Sequence, residues 1–221
     1  MRRTLLAIIL ALMATGPACA GAWLREKGTG FVAATTTVHR LEKYAYEYKS
    51  SLYLEWGAFE RVTLGLDVNE HQGLSGHALL FARLPIHDFG KAGRFAAELG
   101  AGAYHWQTTW APMYKATLSY GKGLNTGWGN GWIAVDTALE YRTDQPLIRK
   151  LDLTTGLSSG RLLDPLLQVE TTYIPGKPFY WSVTPSLIYR PKLLKSTWVL
   201  GIEQNALKSQ PGLKVALWRD F

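Results

Sequence analysis

Trp132-Ile133-Ala134-Val135-Asp136-Thr137-Ala138-Leu139-Glu140-Tyr141-Arg142 is the stretch on which the fold turns. Ile133, Val135, Thr137, Leu139 and Tyr141 occupy one phase, and Asp136, Glu140 and Arg142 share the other with Trp132, Ala134 and Ala138. Successive side chains of a strand point to opposite faces, so the pattern puts one face in an apolar medium and the other in a polar one.

The alternation recurs along the chain. Val62, Leu64, Leu66 and Val68 interleave with Thr63, Gly65, Asp67 and Asn69, and Phe95, Ala97, Leu99, Ala101 and Ala103 with Arg94, Ala96, Glu98, Gly100 and Gly102. Further strands are expected over 114–120, 151–159, 167–173, 181–189, 198–202 and 213–221, with weaker ones over 31–37, 49–56 and 77–84. Turn residues separate them at 69–75, 85–93, 121–131, 143–146, 175–178 and 209–212. The sum is about twelve strands, within a range of about 10 to 14, nearly all able to reach the about 9 to 11 residues that a tilted membrane strand requires. An even count suits a bacterial barrel. Pro185 falls within one strand, where its missing N–H suggests a bulge. No linker, low-complexity tract or clear repeat interrupts residues 21–221, so they read as one domain.

A soluble two-sheet sandwich would also alternate, and the aromatic residues arbitrate. They gather at strand ends: Trp56 and Phe59; Tyr104, Trp106, Trp110 and Tyr114; Tyr120, Trp128 and Trp132; Tyr173, Phe179, Tyr180 and Trp181; Tyr189; Trp198; Trp218 and Phe221. Amphipathic rings sit favourably at head-group depth, which gives a membrane barrel two aromatic bands that a sandwich has no reason to carry. The charged residues on the polar phase would also be intolerable in a sandwich core without pairing. The fold expected is therefore all-β, a closed antiparallel transmembrane barrel.

Residues 1–20 have the build of a cleaved leader: Arg2 and Arg3, an apolar run from Leu5 to Met13, the break at Gly16 and Pro17, then Ala18-Cys19-Ala20 as a small-residue cutting site. The run is too short to anchor, since a spanning helix needs about 20 residues. Gly16 stands where a lipoprotein signal would carry a bulky aliphatic, which argues against lipidation of Cys19. Cleavage before Gly21 removes the chain's one cysteine, so no disulfide holds the product. Without Arg2 and Arg3 the 24 basic residues become 22 against 17 acidic, a net charge of +5. That mild excess, on an exported chain, points to anionic lipid or an acidic solute and away from nucleic acid.

The last strand adds its own signal. Phe221 ends the chain with Leu217, Val215 and Leu213 on its face, which resembles the terminal strand by which the barrel-assembly machinery recognises Gram-negative outer-membrane proteins. Arg219 departs from that pattern, and near a membrane edge it can snorkel toward head groups. Further stretches resemble the XagA type of outer-membrane proteins, associated with surface polysaccharide adhesion: Gly21-Ala22-Trp23 with Gly28 and Gly30; Glu55-Trp56-Gly57 followed by Val62-Thr63-Leu64; and Gly121-Lys122-Gly123 through Gly131-Trp132 to Asp136, Glu140, Tyr141 and Arg142, with the final Phe221. The resemblance implies a barrel serving an exported glycan, and it carries no catalytic residues to transfer.

For chemistry, the sequence offers little. A rim lipid hydrolase would need a serine and histidine within hydrogen-bond reach, and His71, Ser75 and His77 near one outer loop are the candidates, without the spacing of the barrel phospholipases. His39, His87 and His105 lie in different segments, so no metal site is expected. The glycines of 121–131 feed a strand rather than a helix, so no phosphate cradle forms, and the stretch reads as a periplasmic turn with Trp128 and Trp132 at the interface. The better lead is the polar phase: Arg94, Glu98, Lys115, Asp136, Glu140, Arg142, Lys150, Asp152, Glu170 and Glu203. These either cross-pair into a plug, with Asp136, Glu140 and Arg142 facing strands that carry Lys115 and Lys150, or line a wet conduit with separate acidic and basic walls. Trp106, Trp110, Tyr180 and Trp181 stand near the mouths, as belt anchors or as platforms for sugar rings.

The expectation is thus a monomeric outer-membrane channel without enzymatic activity, metal or cofactor, embedded in lipid and passing an exocellular polysaccharide or small solute. A plugged structural or adhesive barrel is the alternative, and a lipid hydrolase the second.

Overall fold

The computed structural model describes residues 21–42, 45–191 and 194–221. The leader expected at 1–20 lies outside them. Among the described residues are twelve strands: β1 (Gly30–Arg40), β2 (Tyr46–Phe59), β3 (Val62–His71), β4 (Ser75–Asp88), β5 (Arg94–Trp106), β6 (Thr109–Thr126), β7 (Gly129–Arg142), β8 (Ile148–Leu157), β9 (Leu163–Tyr173), β10 (Tyr180–Tyr189), β11 (Thr197–Asn205) and β12 (Gly212–Asp220). Each pairs antiparallel with its sequence neighbours, and β1 pairs with β12 over Phe31↔Asp220 to His39↔Gly212, closing the barrel. Closure leaves no sheet edge. Phe221 completes the seam: its N–H donates to the Gly30 carbonyl at 2.9 Å, and the Gly30 N–H donates to its carbonyl at 2.7 Å.

The register puts Ile133, Val135, Thr137, Leu139 and Tyr141 outside and Trp132, Ala134, Asp136, Ala138, Glu140 and Arg142 inside, as the alternation predicts. The exterior is apolar to a degree that water would not tolerate. Leu80 is 68% exposed and Leu99 69%, and they stand in a band with Leu64, Leu118, Leu139, Leu151, Leu187, Leu200, Ile202 and Leu213. Outward aromatics border the band at both ends: Trp56, Tyr120, Tyr189, Trp198 and Phe221 on the side of the termini, and Tyr48, Trp110, Tyr141, Tyr173 and Trp181 on the other. An apolar belt between two aromatic girdles is the lipid-facing surface of a membrane-spanning barrel.

Several boundaries differ from expectation. The strands run further into the glycine-rich stretch than its composition suggests: β6 is 18 residues long and reaches Thr126, β7 starts at Gly129, and only Gly127 and Trp128 make the turn. Once both flanks are paired, ladder hydrogen bonds outweigh the weak strand preference of Gly121, Gly123 and Gly131. The turn expected at 69–75 likewise shrinks to residues 72–74, and β4 continues through Pro85 to Asp88. Pro185 makes no bulge. Its pairing with Leu167 of β9 is regular, and on the β11 side the ladder resumes at Ser186↔Gly201 in the register it left at Val183↔Gln204. Register shifts occur instead at Gly57/Phe59 and Pro85/His87.

Candidate functional site: the charged lumen

The interior divides into a half near the termini, filled by side chains, and a polar cavity. The filled half contains Trp132, Leu166, Ile188, Val199 and Ala216, all buried, with Trp23 and Trp218 packed against them. Trp132 is therefore not an interface residue. It shares the inner phase with Asp136, and the interior of the barrel, not the membrane, receives it. Trp128 does sit exposed at its turn.

Residues 21–29, which precede the first strand, also enter this half. Ala22 is 1% exposed. The Arg25 N–H donates to Thr63 Oγ1 at 2.9 Å, and the Gly28 N–H donates to the Gly57 carbonyl at 2.8 Å. Gly57 is required by this approach, because a Cβ there would lie 2.0 Å from the Glu26 carbonyl oxygen.

Beside the segment lies a buried charge network. Glu55 is fully buried between Arg25, whose Nε donates to Oε2 at 2.7 Å, and Arg83, which donates to Oε1. Arg83 Nη2 also donates to Glu98 Oε2 and to the Tyr53 hydroxyl, both at 2.7 Å, while the Tyr53 O–H donates to Glu55 at 2.8 Å. Two carboxylates thus face two guanidinium groups, which makes their shared burial tolerable. Of these residues only Glu98 was singled out from sequence as a lumen residue. The signal for the others was the same alternation, Glu55 between Leu54 and Trp56 and Arg83 between Ala82 and Leu84, in strands whose patterns are weaker.

A second network lies higher. Glu140, fully buried, accepts from Arg142 Nε at 2.6 Å, lies 2.8 Å from Lys150 Nζ in an ion pair, and faces Lys115 across the β6–β7 ladder. Lys115 in turn lies 3.5 Å from Asp67, which is 3.5 Å from His77. Of the strip expected to face Lys115 and Lys150, Glu140 pairs with Lys150 and stands opposite Lys115 in the ladder, while Lys115 itself pairs with Asp67. Asp136 stands apart from this network, facing Ser119 on one side and Asp152 on the other.

Asp136, Asp152 and Glu170 form a row across β7, β8 and β9, each directly opposite the next. Lys49 on β2 and Lys214 on β12 belong to the other side of the closed order and act electrostatically on Glu170 across the lumen. Lys214 Nζ also donates to Gln168 at 3.0 Å. Between the two walls is a cavity of about 530 Å³, whose lining includes Asp67, His77, Lys115, Thr117, Asp136, Arg142, Lys150, Asp152, Glu170 and Glu203. That volume falls in the about 300–1,000 Å³ range of small-molecule sites.

All ten charged residues singled out from sequence lie on the inward face. Arg94 is at the rim near the termini, 3.1 Å from Asp88, and Glu203 lies 3.7 Å from His39. Of the aromatics, Trp106 and Tyr180 are on the inner phase at the mouth remote from the termini, whereas Trp110 and Trp181 face out. His71 and Ser75 oppose each other on the inner phase at the rim, either side of the 72–74 turn, and His71 Nε2 lies 2.9 Å from Glu47. His39, His87 and His105 remain apart: His105 bonds Glu70 outside at 2.8 Å, and the His87 ring packs at a tilt against Phe89. Among the described residues, no group of His, Cys, Asp and Glu is placed to hold a metal ion.

No protein-family model and no curated protein matches the chain. Solved structures do. The chain is similar to the KdgM porin, with a TM-score of 0.61 at 12% identity over 86% of this chain and 99% of that one. An outer-membrane channel from Pseudomonas putida F1 gives 0.60 at 12% identity, covering 94% and 100%, and the NanC porin gives 0.53 at 9%, covering 86% and 97%. At these identities the likeness is one of fold, a closed twelve-stranded antiparallel barrel of the kind seen in outer-membrane porins.

Proposed function

We propose that this chain is a porin-like channel of a Gram-negative outer membrane, exported through a leader ending at Ala20 and inserted by the barrel-assembly machinery that reads Phe221. Its solute is a fragment of an exocellular polysaccharide or another small polar molecule, in keeping with the XagA-type resemblance. The observation that carries this reading is the row of three carboxylates, Asp136, Asp152 and Glu170, facing Lys49 and Lys214 across a cavity whose lining also carries Asp67, Lys115, Arg142, Lys150 and Glu203. Charges opposed in this way produce a transverse field that orients a charged or dipolar solute, while Thr35, Thr37, Ser51, Thr117, Ser119 and Thr154 supply hydroxyls. Trp106 and Tyr180 at the mouth offer faces to sugar rings. Among the fold neighbours, the KdgM porin has been solved in complex with a disordered oligogalacturonate, which supports a sugar-like solute here.

The test is ion selectivity in planar bilayers. Asp136→Asn with Asp152→Asn and Glu170→Gln removes the charge of the carboxylate row and should shift preference toward anions, whereas unchanged selectivity in a conducting protein would contradict the field. The alternative of a plugged structural or adhesive barrel draws support from residues 21–29 in the lumen; a barrel silent with and without them would favour it.

A further inference from the structure

Among the described residues, the N-terminal stretch is the one occupant of the lumen that strand alternation does not account for. From Gly30 at the rim it leads inward to Gly21, which lines the cavity at mid-barrel against Asp136. A Cβ built on Gly21 would lie 2.7 Å from Asp136 Oδ1 and 3.2 Å from Oδ2. The Gly21 nitrogen hangs from the same Cα. Asp136 Oδ1 is buried without a hydrogen-bond partner, and its nearest cross-strand carboxylate is Asp152, which repels it. An unpaired carboxylate oxygen in such a site is unfavourable.

We propose that the missing partner of Asp136 Oδ1 is the α-amino group of the mature chain. Hydrolysis of the Ala20–Gly21 bond leaves a carboxylate on the departing leader and a protonated amine on Gly21. As an amide this nitrogen is uncharged; as an ammonium it offers three donors and a positive charge to the row of Asp136 and Asp152. Export processing thereby completes the anchor of a plug. The rest of the plug is already built: Trp23 packs into the apolar cluster and against Gly121, where a Cβ would lie 2.5 Å from its ring, and Arg25 bonds Glu55 and Asp220. The position of the new amine depends on cleavage at one bond, so a chain cut one residue earlier or later would seat it poorly.

The inference rests on the reading of residues 1–20 as a leader, and not on conductance. The test compares three variants purified from outer membranes: Asp136→Asn, a serine inserted between Ala20 and Gly21 so that the amine is displaced by one residue, and both together. N-terminal sequencing fixes the cut, and trypsin cleavage after Arg25 reports release of the plug. The unmodified protein should begin at Gly21 and be protected. Each single change should speed cleavage on the order of tenfold, the loss of one charge-assisted hydrogen bond, and the double change should add little. A different N-terminus, an insertion without effect, or multiplicative effects of the two changes would overturn the proposal. A silent channel with this cleavage pattern intact would defeat the channel reading alone.

Discussion

At the residue scale the two faces make different demands. Val135 faces the membrane and Ala134 the lumen, so arginine at Val135 should destabilise the barrel by about 2–4 kcal/mol if it lies near the midplane. Arginine at Ala134 should act instead on packing and conductance. Folding titrations in urea with lipid vesicles measure both, and equal tolerance would contradict the register, because a one-residue slip exchanges every face. Glu55 poses a sharper test. Glu55→Gln leaves Arg25 and Arg83 facing each other with one fewer charge to balance them, and breaking a buried pair from one side costs about 3–5 kcal/mol. A loss below about 1 kcal/mol in the same titration would show that the network is dispensable. The charged lumen was legible in sequence wherever a strand alternates strictly, as at Asp136, Glu140 and Arg142. It was missed at Glu55 and Arg83, where alternation is interrupted by Gly57 and Pro85, the same places where the ladder shifts. Trp132 was misread because an aromatic near a strand end can lie in either phase, and only the position of Asp136 on the same face tells which.

Among the elements, the seam between β1 and β12 controls closure. Phe221 adds a hydrogen-bonded pair with Gly30 beyond the strand itself, and its exposed ring sits in the aromatic girdle near the termini. Deleting Phe221 should slow assembly and lower the yield of the folded, fast-migrating form on unboiled gels; normal yield would mean that the seam needs no such end. The end of β2 presents a different dependence. Gly57→Leu would drive a side chain into the Glu26 backbone, so the barrel should close while residues 21–29 are expelled, made visible by trypsin cleavage after Arg25 or Lys27. Protection equal to the unmodified protein would contradict the close approach. Strand number and order were readable because each strand has its own alternation and its neighbours in sequence are its neighbours in the sheet. Strand ends were not, because composition marks glycine and proline as turn residues while the ladder of a closed barrel holds them in place, as at Gly121 and Pro85.

For the whole molecule, the outside explains the fold and the inside the function. A closed twelve-stranded wall with an apolar belt needs no disulfide, since lipid outside and paired charges inside satisfy both faces. The sequence reading reached that wall and its charged lining, but residues 21–29 carry no periodic signal, and their place inside the barrel follows only from the space that Gly57 and Gly121 leave open. In a channel, these residues obstruct the conduit. The most direct measurement is single-channel recording in planar bilayers of the barrel lacking residues 22–28, beside the unmodified protein. Discrete conductance steps, several-fold larger without the segment than with it, are the result predicted here; a barrel that folds, inserts and stays silent after its removal would show that the lumen is not a conduit.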